Sequence, residues 1–306
     1  MKTFQKRTGL ALGLLALAAW LGTQALSHLS SPRAAQRFSP VVDSSPPPAP
    51  TNMVWIPGGT FVMGSPTTEV ERGSNEVQHT VSVSGFYMSR YLLTQGEYLA
   101  VVGSNPSYFR NGVVPPWGGT GGAVTNKLRH PVEQVSWYDV TNYCYRLNLL
   151  EGRLGSGWAY RLPTESEWEY ACRAGTSTPF HYGQDLRSGM AHFDGHKEYI
   201  GGVGTSTNAS GIWLGRTTAV GSYAPNGFGL YDMHGNVWEW GLDWYGGYPT
   251  GSVVNPRGPG TGSRRVIRGG YYYGNARNCR SAQRLSINPT QSYDFIGFRP
   301  VLAPEH

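Results

Sequence analysis

Cysteine is scarce in this sequence, since its 306 residues include only Cys144, Cys172 and Cys279. Three cysteines form at most one intramolecular disulfide, which excludes a small scaffold held together by several disulfides. Charged residues are also few, at 14%. Together with 42 glycines and 21 prolines, this composition excludes a helical bundle or a coiled coil.

Several common catalytic motifs are absent from the sequence. It contains no Walker loop, no His-Glu-x-x-His, no Gly-x-Ser-x-Gly and no Cys-x-x-Cys. These absences remove the commonest assignments among nucleotide-binding proteins, zinc proteases, serine hydrolases and thiol redox proteins.

The positive charge does not indicate nucleic-acid binding. The net charge is +6, but residues 1–52 hold five of the 25 basic residues and one of the 19 acidic residues, which leaves +2 for the remainder. That remainder has no long basic run and no zinc-finger spacing, so we expect no nucleic-acid partner.

The N-terminus has the pattern of a secretory signal peptide. Lys2, Lys6 and Arg7 precede an apolar run at residues 10–21, and small residues follow at Thr23 and Ala25. We therefore expect a signal peptide at residues 1–25 and an exported protein, periplasmic, secreted or tethered outside the cytoplasm. The alternative is an uncleaved anchor, because the uncharged residues 8–27 are just long enough to span a bilayer. Only this segment would then contact a membrane.

Residues 26–52 are rich in Ser, Pro and Ala and end in a proline cluster, which predicts an extended linker. Residues 53–303 show no break in composition and no internal repeat, so we predict a single domain there. At its start, residues 53–64 predict two strands around Pro57, and the alternation at residues 81–88 predicts another.

Three pairs of side chains mark helix starts. A hydroxyl at the N-cap and a carboxylate three residues later satisfy amide groups that a helix leaves unpaired. The pairs are Thr94 with Glu97, Ser136 with Asp139, and Thr164 with Glu167. Gly175 is expected to end the third helix, and no helix is predicted after residue 176.

Two segments contain candidate metal ligands. His192 and His196 flank an Asp-Gly turn, and we interpret them as loop histidines. Asp232 and Glu239 bracket a Gly-Asn turn, where carboxylate and carbonyl oxygens could converge on a hard cation such as calcium. From spacing alone, an ordinary turn with two capping carboxylates explains the second segment equally well.

The C-terminal region alternates apolar segments with polar and aromatic loops. Aromatic side chains on loops supply binding energy at a low entropic cost. Three consecutive tyrosines cannot all face one core, so we expect partial exposure. The candidate ligand-binding residues are Tyr271, Tyr272, Tyr273, Asn275, Arg277, Ser286, Asn288, Ser292, Tyr293 and Phe295.

A set of motifs in order resembles the formylglycine-generating enzyme (sulfatase-modifying factor) family. The most specific is GFGLYDMHGNVWEW at residues 227–240. The others are WIPGGTFVMG at 55–64, HPV at 130–132, VSW at 135–137, RLPTESEWEY at 161–170, RGG at 268–270 and GFR at 297–299. The resemblance covers about residues 53–303. It implies one compact α+β domain related to C-type lectins, with little regular secondary structure.

The resemblance also implies bound metals. One calcium site would use the side chains of Asp232 and Glu239 with the carbonyls of Gly235 and Val237. At the family's other calcium site, His192 stands where an Asn ligand is expected. The family's enzymes hold copper with two cysteine thiolates five residues apart and use oxygen to convert a sulfatase cysteine to formylglycine, which suits the preference of Cu(I) for soft ligands.

The catalytic positions depart from that pattern. Tyr271 replaces a Ser after RGG, and Gly274 and Cys279 stand where the family has its two cysteines. One thiolate cannot reproduce a bis-thiolate site. Cys279 also lies in a segment that resembles a later structural part of the family.

We consider two functions. The first is a binding module that holds an extracytoplasmic protein, peptide or glycan on loops 271–278 and 285–295, one form being a binder diversified by a retroelement. The second is a copper- and oxygen-dependent oxidase that acts on sulfatase cysteines, with Cys279 as its remaining candidate catalytic residue.

Overall fold

The three α-helices start at the predicted side-chain pairs. In the computed structural model, which describes residues 46–305 except 111, 116 and 117, the helices are α1 (Gln95–Val102), α2 (Trp137–Leu150) and α3 (Glu165–Arg173). Each has a complete capping box, in which hydroxyl and carboxylate satisfy amides in both directions. Helix α3 ends at a left-handed Ala174, and Gly175 follows with φ +90°. Local side-chain chemistry thus determines where these helices begin.

The strands of the described residues are short, and most have four or five residues. They are β1 (Met53–Ile56), β2 (Gly59–Met63), β3 (His79–Val83), β4 (Phe86–Ser89), β5 (Trp158–Arg161), β6 (Lys197–Ile200), β7 (Gly204–Thr207), β8 (Trp238–Trp244), β9 (Val253–Val254), β10 (Arg265–Arg268), β11 (Arg284–Ile287), β12 (Ile296–Gly297) and β13 (Val301–Pro304).

These strands form four small sheets with the orders β1-β4-β13-β5, β11-β10-β8-β12, β2-β3-β9 and β6-β7. The predicted strands near residues 53–64 are confirmed, but they do not pair with each other. β1 pairs with β4 in the first sheet, whereas β2 pairs with β3 in the third. The turn at Pro57 therefore transfers the chain from one sheet to another.

Long loops occupy much of the C-terminal half. Beyond residue 176, the only helical segment in the described part of the chain is the 3-10 turn Ala276–Cys279. This agrees with the prediction of an α+β domain with little regular secondary structure. None of the described helices is long and apolar enough to span a membrane. The expected signal peptide or anchor and residues 26–45 of the linker lie outside the described residues.

The largest hydrophobic cluster joins the first two sheets to helices α1 and α2. Helix α2 contributes Val140 and Tyr143, the sheets contribute Trp158 and Trp240, and Phe298 follows β12; all are at most 4% exposed. The ring of Tyr143 packs edge-on against that of Phe298 at 5.3 Å between centroids. The second sheet, which leads into the candidate loops, is therefore fixed to the main core.

Buried ion pairs connect helix α3 to the C-terminal loops. Arg268, at the end of β10, has no solvent exposure and donates to the carboxylates of Glu165 and Glu169 on α3. It also donates to the carbonyls of Ser281 and Ala282, at 2.8 and 3.1 Å. One guanidinium thus joins a helix, a strand end and the segment that returns after the loop.

The neighbouring arginines extend this network. Arg284 donates to Glu165 from Nε at 2.7 Å, and Arg173 donates to Glu169 at 2.9 Å. Arg280 is also fully buried and donates to Glu69 and Glu76. These carboxylates pair with the buried guanidinium groups. Burial of a guanidinium group without a counter-charge would be costly.

We expect Glu169→Gln to lower the free energy of unfolding by about 3–5 kcal/mol, because it leaves Arg268 and Arg173 buried without a shared counter-charge. Urea unfolding followed by tryptophan fluorescence measures this change. The matched control is Asp185→Asn, which removes a carboxylate from a solvent-exposed pair with Arg187 and should change stability by less than about 1 kcal/mol. Equal effects of the two substitutions would show that the buried network contributes no more than a surface pair.

Candidate functional site

Aromatic rings from two loops meet beside the second sheet. Tyr271 follows β10, and Phe295 precedes β12; their ring centroids lie 5.0 Å apart. Tyr293 stacks on Phe295 at 5.0 Å with an interplanar angle of 10°. Trp238 at the start of β8 stacks on Tyr271 at 6.1 Å. Residues that are far apart in the sequence thus form one aromatic surface, which we call the aromatic groove.

The aromatic groove contains two cavities that share Tyr271 and Phe295. The larger has a volume of about 470 Å³ and is open to solvent. The smaller has a volume of about 260 Å³. The lining of the larger cavity is Trp238, Arg264, Ile267, Tyr271, Asn278, Leu285, Ser286, Ile287, Gln291, Tyr293 and Phe295. The lining of the smaller cavity is Tyr271, Tyr272, Tyr273, Asp294 and Phe295.

The three consecutive tyrosines have different environments. Tyr272 is 2% exposed and its ring packs edge-on against Phe109 at 5.3 Å, so most of this side chain belongs to the core. Tyr271 is half-buried, and Tyr273 is 49% exposed beside Trp213. The expectation of partial exposure therefore holds for Tyr271 and Tyr273, whereas Tyr272 contributes only an edge to the smaller cavity.

Backbone hydrogen bonds hold the two loops in place. The amide of Tyr272 donates to the carbonyl of Asn236 at 3.0 Å, and that of Trp238 donates to the carbonyl of Phe295 at 2.8 Å. Gly269 and Gly270 have φ values of +98° and +81°, and residues other than glycine rarely adopt this backbone conformation. The RGG motif thus supplies both the buried Arg268 and the tight turn that places Tyr271 in the groove.

Six of the ten candidate residues line the groove: Ser286, Tyr293, the three consecutive tyrosines and Phe295. Four other candidates do not line either cavity. Asn275 is the N-cap of the 3-10 turn, and Arg277 extends toward Glu71 at 3.9 Å. Asn288 accepts hydrogen bonds from Thr290, and Ser292 is exposed on the same loop.

Sequence reasoning missed other residues that line the groove. Leu285 and Ile287 flank Ser286 on the edge strand β11, and all three line the larger cavity. Asp294 lies between two predicted residues, Tyr293 and Phe295, and is the one carboxylate in the smaller cavity. Proximity in the sequence was its only available signal.

The residues present do not fit a bis-thiolate copper site. Cys279 is fully buried in the 3-10 turn, and burial raises the pKa of its thiol. At Gly274, the other expected thiolate position, a Cβ atom would lie 2.7 Å from the ring of Tyr271. The structure therefore places an aromatic ring where the second ligand of the family's enzymes would extend.

The other two cysteines do not supply a ready thiolate. Cys172 lies 3.7 Å from the hydroxyl of Ser281 and 3.9 Å from Nε2 of His234, and burial raises the pKa of its thiol to about 12. Cys144 is buried in the main core with a pKa of about 12 for the same reason. All three cysteines are free thiols, so Cys172 and Cys279 form no disulfide. Reactive cysteines require a lowered pKa instead.

The predicted calcium ligands Asp232 and Glu239 are both buried; Asp232 precedes the Gly-Asn turn and Glu239 lies in β8. Asp232 accepts from the amide of Gly221 with Oδ2, while its buried Oδ1 has no hydrogen-bond partner among the described residues. Glu239 accepts from Nε and Nη2 of Arg299, at 3.1 Å each. A carboxylate has further lone pairs beyond those two bonds. The unpaired Oδ1 fits a cation at this turn, where Asp232, Glu239 and the carbonyls of Gly235 and Val237 would hold it.

Burial also affects the titration of this turn. It raises the pKa of Asp232 to about 6, although the amide of Gly221 opposes the shift. The folded protein therefore binds this proton more tightly than the unfolded chain, and stability from this group falls as pH rises from about 4 to 6. A calcium ion near the carboxylate would offset that loss.

The two histidines of the earlier turn behave as loop residues. His192 is buried, with Nε2 2.7 Å from the carbonyl of Arg216, and His196 pairs with Asp194 at 3.0 Å. Within the described part of the chain, no cluster of three or more His, Cys, Asp and Glu side chains is arranged to hold a metal ion. A calcium site at residues 232–239 would accordingly depend on backbone carbonyls.

Comparisons with known proteins identify relatives of the chain. Residues 39–304 match the family described as "Sulfatase-modifying factor enzyme 1-like domain". The formylglycine-generating enzyme of Mus musculus is 32% identical, and the alignment covers 89% of this chain and 82% of that protein. Among solved structures, PvdO from Pseudomonas aeruginosa is 31% identical with a TM-score of 0.63 and coverage of 82% and 94%. Treponema denticola variable protein 1 is 27% identical with a TM-score of 0.63 and coverage of 82% and 95%.

If calcium occupies the turn at Asp232, chelation at pH 7 should lower Tm and added calcium should restore it, because a ligand that binds only the folded state stabilises it. Differential scanning fluorimetry with and without a chelator measures this shift. Asp232→Asn should abolish the response, while Asp185→Asn should retain it. An identical Tm with chelator and with calcium would leave residues 232–239 as an ordinary turn.

Proposed function

Since the chain belongs to the sulfatase-modifying factor enzyme 1-like family, we propose that it uses the family's scaffold to bind a ligand in the aromatic groove. The ligand would be a peptide, protein or glycan segment. The observation that carries this proposal is the pair of cavities that share Tyr271 and Phe295.

The dimensions and chemistry of the groove support binding. Small-molecule and segment-binding sites are concave, largely apolar and fitted with a few polar groups. The larger cavity combines aromatic rings with the polar side chains of Ser286, Asn278 and Gln291. Tyrosine anchors lose little side-chain entropy on binding, and they dominate the energetics of many interfaces.

The scaffold positions these side chains before a ligand arrives. Tyr293 and Phe295 stack on each other, and their loop is held by bonds from the amides of Gln134 and Trp238. Pre-formed contacts reduce the entropic cost of association. The structural likeness to Treponema denticola variable protein 1 is consistent with a scaffold whose loops can differ, and a retroelement-diversified binder remains one form of the proposal.

We place this binding outside the cytoplasm. The basic N-terminus, the apolar run at residues 10–21 and the small residues at Thr23 and Ala25 favour export. The partner would then be an extracytoplasmic polypeptide or glycan, and the proline-rich residues 26–52 would separate the domain from its point of export.

The second candidate function is formylglycine generation. It is favoured by the formylglycine-generating enzymes that are about one-third identical to this chain. The residues at the expected copper-ligand positions argue against it, because Gly274 has no donor atom in a side chain and Cys279 is a buried, protonated thiol. We therefore rank it below binding.

For binding, we expect a random peptide library panned against the full chain to yield peptides that depend on the groove. Tyr293→Ala should weaken their affinity roughly tenfold, as the loss of an interface anchor does, and should lower Tm by less than about 4 °C. Titration calorimetry and scanning fluorimetry measure the two effects. The control, Tyr138→Ala, removes a tyrosine that is 53% exposed on α2 and should leave affinity unchanged. Peptides that bind both variants equally would place recognition elsewhere.

For catalysis, we expect no formylglycine when the full chain is incubated with copper, a thiol reductant, air and a peptide containing Cys-x-Pro-x-Arg, the segment that the family's enzymes modify. Mass spectrometry of the peptide measures conversion, and a formylglycine-generating enzyme serves as the positive control. Conversion that is lost in Cys279→Ala would overturn the ranking of the two functions.

A further inference from the structure

The smaller cavity of the aromatic groove is lined by a negatively charged side chain, and the larger one is not. Its walls are the rings of Tyr271, Tyr273 and Phe295, with an edge of Tyr272, and its one charged group is Asp294. The larger cavity has Arg264 as its charged residue and no carboxylate. The two parts of the groove therefore differ in sign.

Asp294 has no cationic partner among the described residues. None of the ion pairs in the described part of the chain includes it. Its one side-chain bond is with the hydroxyl of Tyr272, which donates to Oδ2 at 3.3 Å. The carboxylate is half-buried, and this partial burial raises its pKa. A half-buried anion without a counter-ion attracts a cation to the cavity.

The rings around Asp294 also suit a cation. The centroids of Tyr271 and Phe295 are 5.0 Å apart, and those of Tyr271 and Tyr273 are 6.3 Å apart. The faces of aromatic rings carry partial negative charge, and they attract ammonium or guanidinium groups within about 6 Å of the ring centroid. Several rings and one carboxylate around a small volume form an aromatic cage.

Behind the cavity lies a second carboxyl group, Glu133, and the positive charge of Arg110 acts on it. The hydroxyl of Tyr272 links Asp294 to the buried core, where Glu133 accepts hydrogen bonds from the amides of Tyr108 and Phe109, at 3.0 and 2.8 Å. Burial raises the pKa of Glu133 to about 8, and the negative charge of Asp294 adds to that shift. With this raised pKa, Glu133 is mostly protonated and uncharged at pH 7, so the attraction of a cation to the cavity would come from Asp294 and the surrounding rings.

We propose that the aromatic cage formed by Tyr271, Tyr273, Phe295 and Asp294 binds a lysine or arginine side chain of a polypeptide ligand. The remainder of that polypeptide lies along the larger cavity, where Ser286, Asn278 and Gln291 face it with hydrogen-bonding groups. This inference rests on the proposed function and specifies its ligand. The carboxylate of Asp294 pairs with the cation, and the rings contact its charged head and its aliphatic stem.

The test compares basic peptides with neutral peptides of similar shape. The probes are acetylated tripeptide amides Gly-Lys-Gly and Gly-Arg-Gly, and their counterparts with norleucine for lysine and citrulline for arginine. Saturation-transfer NMR with the full chain gives the dissociation constants. We expect each basic peptide to bind about 5- to 30-fold more tightly than its neutral counterpart, a factor typical of a partly desolvated cation–π site.

Three variants assign the preference to the cage. Asp294→Asn keeps the shape and a hydrogen-bond acceptor for Tyr272 but should abolish most of the preference. Tyr273→Leu keeps an apolar wall and should weaken the basic peptides while leaving the norleucine peptide unchanged. Asp185→Asn removes the same charge from a surface pair with Arg187 and should change neither affinity.

The remaining outcomes each contradict the proposal in a different way. Equal affinity for basic and neutral peptides, or binding of none of them, would overturn the cationic ligand, while panned peptides that still depend on Tyr293 would preserve the binding function. Tight binding of choline without binding of the basic peptides would assign the cage to a small quaternary amine. Loss of both the panned peptides and the tripeptides would overturn the binding function itself.

Discussion

The position of the candidate site depends on the buried guanidinium of Arg268. It is bound by Glu165 and Glu169 from α3 and by the carbonyls of Ser281 and Ala282. A buried ion pair is weak evidence of net stability, because desolvation of the charges offsets most of their attraction. The ion pairs nevertheless constrain the conformation of the loop, because each alternative position of the loop would leave a buried charge unpaired. The network therefore selects one conformation of residues 269–283.

This arrangement separates the scaffold from the recognition surface. The arginines and glutamates of the network lie beneath the loops, whereas Tyr273 and Tyr293 contact other rings at the surface. A change at such an aromatic position leaves the buried charges paired. The same backbone can accordingly present different side chains, which gives a physical reason why one scaffold can carry different functional sites.

The sequence alone predicts features that depend on neighbouring residues, such as helix starts. It does not predict which distant strands pair with each other. The helix starts at Thr94, Ser136 and Thr164 depend on atoms within three residues, so the pattern alone predicts them. The partners of β1 and β2 depend on β4 and β3, which no local pattern specifies.

The candidate site shows the same division. The aromatic loops could be recognised by their composition, but the burial of Tyr272 follows from Phe109, more than a hundred residues away in the chain. Asp294 had no distinguishing pattern, because its significance depends on the rings that the fold brings around it. Likewise, nothing local indicated that Glu239 would accept two bonds from Arg299.

The loop after β10 also imposes a choice between two kinds of site. A thiolate at position 274 needs the space next to residue 271, and here the ring of Tyr271 fills that space. The same ring stacks on Trp238 and packs against Phe295, so it is a central wall of the aromatic groove. A cysteine at position 274 would therefore displace the ring and open the groove, while retention of the ring excludes the cysteine. In this chain, the aromatic groove and the bis-thiolate arrangement compete for one volume, and Tyr271 together with Gly274 selects the groove.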